Sequence, residues 1–190
     1  MRPIALMFAA LTVLAGTGQA LAENTDFNDF FGGGSTYYGS RTSSIPRTTV
    51  TYPTNYAPGT IVVNTAERRL YLVLQGGQAL RYGIGVGRDG FRWSGVHRIT
   101  AKKEWPSWTP PSQMLRRRPD LPRHMNGGIE NPLGARAMYL GSTLYRIHGS
   151  NEPETIGQAV SSGCFRMTND DVTDLYGRVG VGTTVVVLNN

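Results

Sequence analysis

From Thr60 onward, apolar and polar positions alternate with a period of two. Ile61 and Val63 fall on one side of an extended backbone, Val62 and Asn64 on the other. Leu70, Leu72 and Leu74 share a face opposed by Tyr71 and Val73. Gln75-Gly76-Gly77-Gln78 supplies a turn, and Leu80-Arg81-Tyr82-Gly83-Ile84-Gly85-Val86 runs back, so the pattern predicts strands joined as a meander. Gly87-Arg88-Asp89-Gly90 is the next turn, followed by a strand over 96–101. Two short strands follow over 135–140 and 144–148, around Gly141-Ser142-Thr143. Thr168 then suits the cap of a short helix over 169–178, with Asp170 and Asp171 at its positive end and Arg178 at its negative end. Gly180 and Gly182 end that helix, and Thr184 to Leu188 read as a last strand, buried on both faces.

Three stretches depart from this pattern. Residues 1–22 carry Arg2, an apolar run from Ile4 to Ala15 broken only by Thr12, and Ala20-Leu21-Ala22, which together read as a cleavable signal peptide. The run is too short for a hydrocarbon core that needs about 20 apolar residues, so no stable membrane insertion is expected after cleavage. No cysteine lies near the junction, which excludes lipid attachment there. Residues 23–58 are Gly-, Ser-, Thr- and Tyr-rich and almost free of branched aliphatics, and read as a flexible tail. Residues 102–132 hold six of the chain's 11 prolines together with Trp105, Trp108 and Arg116-Arg117-Arg118. That stretch reads as a long irregular loop, without regular helix or central strand, of the kind that lids or binds. The expected organisation is thus a signal peptide, a tail, and one domain over 59–190.

Composition sharpens the class. With 24 Gly and only 17% charged residues, the chain suits a turn-rich, mainly β protein better than a helical bundle. The formal charge of +6 favours an anionic partner. Lys102, Lys103, Arg116, Arg117, Arg118 and Arg123 flank the Trp-rich loop. Nucleic acid is not expected, because an exported protein rarely meets it and no groove-reading motif is present.

The single cysteine cannot form an internal disulfide, so in an exported chain it is either inert or there for its reactivity. Its setting decides between these. Cys164 follows Ser161-Ser162-Gly163, small residues whose backbone N–H groups are free to point at a substrate oxygen. Sixteen positions upstream, His148 ends a strand and is followed by Gly149. A thiol attacks as the thiolate, and an imidazole is the usual partner that makes one, so the pair reads as a Cys-His acyl-transfer site. No Asp or Asn stands in an obvious third position, which leaves a backbone carbonyl near Gly149 to hold the ring. Arg166 either binds a substrate carboxylate or braces the loop, while Glu152 and Glu154 read as loop solvation. His97, His124, His148 and Cys164 suffice in number for zinc but are scattered without a short ligand pair, so no metal is assigned.

The segments Ile147-His148-Gly149-Ser150-Asn151 and Ser161-Ser162-Gly163-Cys164-Phe165-Arg166-Met167 resemble the motifs of the L,D-transpeptidase catalytic domain, the YkuD-type fold. Ile61-Val62-Val63-Asn64 with Arg69-Leu70-Tyr71-Leu72 is similar to that family's opening hairpin. Asn131-Pro132-Leu133-Gly134 and Trp105 to Pro111 resemble the subgroup that includes lipoprotein-anchoring enzymes. Ser94-Gly95-Val96-His97 lacks the proline usual at its turn. The resemblance implies a β-sandwich of mixed sheets with one or two short helices, no cofactor, and peptidoglycan stem peptides as substrate. It implies Cys164 as nucleophile, His148 as base, the Gly149 carbonyl orienting the ring, and the N–H groups of Ser162, Gly163 and Cys164 as oxyanion donors. Ser161, Asn151, Arg166, Trp108 and Tyr139 become candidate substrate-binding positions. The thioester would pass to an amine: a second stem peptide, a lysine of an outer-membrane protein, or a D-amino acid. Carbapenems would acylate the same sulfur. The rival readings are a hydrolase of the same fold and a non-catalytic wall-binding protein.

Overall fold

The computed structural model describes residues 45–189. The expected signal peptide and the first part of the expected tail lie outside these residues. Among the described residues no helix is long and apolar enough to cross a membrane.

The strands are β1 (Thr48–Thr51), β2 (Ile61–Asn64), β3 (Arg69–Val73), β4 (Gln78–Gly83), β5 (Val86–Gly87), β6 (Gly95–Glu104), β7 (Arg136–Leu140), β8 (Arg146–His148), β9 (Ala159–Ser161), β10 (Phe165–Arg166) and β11 (Thr184–Leu188). Two α-helices, α1 (Ser112–Arg117) and α2 (Asn169–Arg178), and one turn of 3-10 helix over Pro153–Thr155 complete the described elements. Nine strands form one mixed sheet in the order β1-β4-β3-β2-β11-β6-β7-β8-β10, and β5 pairs with β9 separately.

The meander forms as its turn chemistry demands. Gly76 and Gly77 have φ of 69° and 67°, the two left-handed positions that the tight β3–β4 hairpin needs. The last strand, β11, lies in the middle of the sheet, parallel to β2 and antiparallel to β6. Central placement explains its unbroken apolar run, since Val185, Val186 and Val187 are all buried. The ten-residue β6 is shared between two halves of the sheet, with a register shift between Ile99 and Ala101. Residues from both halves meet in one core, which includes Ile61, Leu72 and Tyr82 on one side and Met138, Ile147 and Phe165 on the other. Helix α2 closes it with Val172 and Leu175, and Thr168 caps the helix by accepting the Asp171 N–H at 3.2 Å.

Three expectations need correction. First, the tail does not run to residue 58 as solvated chain. β1 pairs antiparallel with β4, Tyr52 stacks on Tyr71 at 4.5 Å, and Arg47 bridges to Asp171 and Asp174 at 3.4 and 3.3 Å. Thr, Val and Tyr are good strand formers, and an edge strand needs few aliphatics because only one side is covered. Second, β6 continues through Glu104. Third, the proline-rich stretch contains α1, because Pro110 and Pro111 precede the helix rather than interrupt it. A proline there loses no helical hydrogen bond, and Pro111 O accepts the N–H groups of Met114 and Leu115. The strands β9 and β10, which flank Cys164, were not anticipated.

Because the 48–52 segment belongs to the sheet, Tyr52→Ala is expected to lower stability by about 1–2 kcal/mol, the value of a lost aromatic stack plus some burial. Urea denaturation measures it; an unchanged midpoint would return the segment to the tail.

Candidate active site

Two very short strands build the site. β8 and β10 run parallel, with Phe165 opposite Ile147 and Arg166 opposite His148. Cys164 immediately precedes β10, so this register brings it to the wall that carries His148. The apolar neighbours Ile147, Phe165 and Met167 are all buried and anchor both strands in the core. The backbone link from Met167 N–H to His148 O, 2.8 Å, extends the pairing one residue past β10.

His148 is 5% exposed, and its Nδ1 lies 2.5 Å from Gly149 O. A carbonyl only accepts, so Nδ1 carries the proton and Nε2 keeps its lone pair. The position of Gly149 is itself fixed. Its N–H donates to Arg136 O at 3.0 Å, and a Cβ there would collide with Asn169 Oδ1, which accepts the Ala135 N–H at 2.9 Å. Only glycine lets the chain pass so close to Asn169.

The cysteine turn is held from two sides. Ser161 Oγ donates to Cys164 O at 2.6 Å and accepts the Gly163 N–H at 3.1 Å. The Gly163 carbonyl accepts Trp93 Nε1–H at 2.7 Å. Trp93 stacks on Tyr145 with centroids 4.5 Å apart, and the Tyr145 ring fills the space a side chain at Gly163 would need. Gly163 has φ of 107°, a conformation that favours glycine. Its N–H, expected as an oxyanion donor, is therefore already engaged by Ser161. Among the described residues the N–H groups of Ser162 and Cys164 have no hydrogen-bond partner. The thiol points at Leu144 O, 3.8 Å away, and within the described residues no hydrogen bond joins Sγ to the His148 ring.

Both side chains line an open cavity of about 660 Å³. Ser161, Ser162, Arg166, Asn151 and Trp108 also line it. The Arg166 guanidinium is paired with Glu152 at 2.6 Å and reaches Thr155 Oγ1 at 3.4 Å, so it braces the loop and Glu152 is not mere solvation. Asn151 donates to Glu130 O at 3.1 Å, tying the same loop to the one before β7. Trp108 is fixed by reciprocal backbone bonds with Met125 at 2.8 Å. Tyr139 does not reach this cavity. It lines a separate shallow depression with Lys103 and Thr143. The basic group also divides. Arg117 and Arg118 line the cavity, whereas Lys102 caps the end of α2 by donating to Tyr176 O and Val179 O. Trp93, Tyr145, Arg146 and Asn169 were not singled out from sequence. Arg146 was within reach, since it alternates with His148 along one strand; Trp93 lies 70 residues from the glycine it holds and left no local signal.

A family model for the L,D-transpeptidase catalytic domain matches residues 58–187. The chain belongs to that family. Its domain is 39% identical over 138 residues to the Escherichia coli protein described as probable L,D-transpeptidase ErfK/SrfK, covering 68% of this chain and 44% of that one. The chain thus spans under half the length of that relative. A Brucella melitensis structure described as a probable carnitine operon oxidoreductase is 48% identical, with a TM-score of 0.52, over 78% of this chain and 97% of that one. An L,D-transpeptidase from Mycobacterium smegmatis shares the fold at 17% identity, with a TM-score of 0.55, over 68% and 58% of the two chains.

In this L,D-transpeptidase domain the two titrating groups are pushed toward their neutral forms. Burial drives the His148 pKa down to about 3; the Gly149 carbonyl opposes the shift, and Arg166 and Arg146 add to it. Burial raises the Cys164 thiol, opposed by the positive charges of Arg146 and Arg166. The resting pair is therefore thiol and neutral imidazole, not a preformed ion pair.

The sign of the pH dependence follows. His148 has already lost its proton above about pH 3, and Cys164 ionises only above the ordinary thiol range. Iodoacetamide alkylation should thus rise steadily into the alkaline range, without the plateau between about pH 4 and 7 that a low-pKa cysteine gives. An inflection in that acidic window would contradict the neutral pair. Gly163→Ala forces a methyl group into the Tyr145 ring, and is expected to lower stability by about 2 kcal/mol or more and to change the alkylation rate. Thermal unfolding and alkylation of the same sample check both.

Proposed function

We propose that the protein is an exported peptidoglycan L,D-transpeptidase that works through a thioester on Cys164. The observation that carries this reading is the His148 ring, locked by Gly149 O into the tautomer with a free Nε2, in one cavity with the chain's single thiol.

The donor is a tetrapeptide stem, entering with the carbonyl between diaminopimelate and D-Ala against the cysteine turn. His148 Nε2 takes the thiol proton as Sγ attacks that carbon, so the sulfur gains nucleophilic charge only when a substrate is present. The N–H groups of Ser162 and Cys164 hold the developing oxyanion; Gly163 takes no part. When the tetrahedral adduct collapses, the His148 imidazolium returns the proton to the departing D-Ala amine. An amine acceptor then attacks the thioester, with His148 again removing the proton, and Cys164 leaves as the free thiol. Trp108 and Asn151 wall the stem peptide, and Arg166 keeps the loop in place through Glu152. Stem peptides carry free carboxylates, which suits the arginines around the cavity. The acceptor is a second stem peptide or a protein lysine, and residues 1–22 direct export.

Cys164→Ala should reduce D-Ala release from tetrapeptide muropeptides by about 10³-fold or more while leaving the fold intact. A carbapenem should add its own mass to the wild-type protein and none to this variant. Mass spectrometry of sacculi incubated with the enzyme reads the acceptor: 3-3 dimers, protein-linked muropeptides, or bare tripeptides if water is used. Undiminished D-Ala release from Cys164→Ala would refute the thioester.

A further inference from the structure

Alternation along β8 puts Arg146 on the same face as His148, two residues away. Arg146 lines the cavity that holds Cys164. Arginine brings five N–H donors and no acceptor, so it normally finds a carboxylate or a carbonyl. Arg166 pairs with Glu152, Arg118 with Asp120 and Arg136 with Glu104. Arg88 and Arg117 also line the cavity without a carboxylate, but both are exposed side chains lying over the Phe91 ring. Arg146 differs from them in being half-buried. Its Nε is buried with no hydrogen-bond partner, and among the described residues no carboxylate pairs with it. What positions it is the ring of Tyr139, directly across the sheet in the β7–β8 register, with the guanidinium carbon 5.4 Å from the ring centroid. A cation stacked on a ring is held in place while its N–H edge stays free.

We propose that Arg146 determines substrate specificity by binding a carboxylate of the acyl donor beside Cys164. This rests on the transpeptidase reading and narrows it: the donor must be anionic next to the scissile bond. A planar carboxylate is the group that two N–H donors of a guanidinium grip in parallel. A stem cut between diaminopimelate and D-Ala offers two such groups, the α-carboxylate of the leaving D-Ala and the free carboxylate of diaminopimelate. Arg166 is committed to Glu152 and Arg118 to Asp120, and Arg88 and Arg117 are exposed over Phe91, so Arg146, on the strand that carries His148, is the arginine best placed for this role. Tyr139, outside the cavity, then acts as a positioning residue through the guanidinium it supports. The same positive charge opposes the upward shift of the Cys164 thiol, which places it within electrostatic reach of the sulfur.

Two measurements on the full chain test this. The first needs no turnover. Alkylation of Cys164 by iodoacetate and by iodoacetamide depends on the same thiolate fraction, so the ratio of the two rates reads only the preference for an anion. The wild-type ratio is expected to exceed that of free cysteine by about tenfold, Arg146→Met to remove most of that preference, and Arg146→Lys to keep much of it. The lysine variant and a thermal melt guard against a methionine variant that fails to fold. A ratio that stays within about twofold of wild type in Arg146→Met would overturn the proposal. The second compares the free tetrapeptide with donors amidated at D-Ala or at diaminopimelate. Amidation of one carboxylate should lower wild-type kcat/KM by about tenfold or more and have little effect in Arg146→Met, which identifies the carboxylate bound. Indifference of the wild type to both amidations would also overturn it. No turnover from any donor, with the alkylation preference intact, would sink the transpeptidase reading and still support Arg146 as an anion site.

Discussion

The parallel pairing of β8 with β10 is the constraint on which the rest depends. These strands have three and two residues, too few for their own hydrogen bonds to hold a register against thermal motion. Burial holds it instead. Ile147, Phe165 and Met167 sit in the core with exposures of 0, 1 and 0%, and a slip by one residue would turn each of them outward. Specificity of register therefore comes from the hydrophobic core, and the proposed chemistry uses the opposite face. His148 and Arg146 take the cavity side because their neighbour Ile147 takes the inner one.

Around this pair the structure limits freedom rather than adding functional groups. The imidazole has one orientation because Gly149 O accepts from it, and Gly149 has one position because Asn169 leaves room only for a hydrogen. The cysteine turn has one shape because Trp93 and Ser161 grip Gly163 from its carbonyl and its amide. In the proposed reaction such fixing costs little, because the donors are already in place when charge develops. The cavity's electrostatics follow the same plan: a neutral thiol and a neutral imidazole surrounded by permanent arginine charge.

Much of this was legible in the chain. The family motifs, the β2–β3–β4 meander, the cap at Thr168 and the run Val185 to Val187 each announce themselves through local spacing or turn chemistry. The features that were not legible share one physical cause: their partner is distant in sequence. β1 has Val50 as its single aliphatic and looks like linker until β4 is set beside it. Gly163 N–H looks free until Ser161 Oγ is placed. Arg166 reads equally as carboxylate binder or loop brace until Glu152 is placed beside it. Prolines misled in the opposite direction, since Pro110 and Pro111 are helix-breaking in the interior of a helix and harmless at its entrance.

One topological detail carries further. The last strand made, β11, occupies the centre of the nine-stranded sheet and joins β2 to β6. The two halves of the sheet are joined only through residues 184–188, so their assembly depends on contacts nearly as long in sequence as the domain itself. Removing β11 would leave two open sheet edges and an uncovered core, so a break there acts on the whole domain.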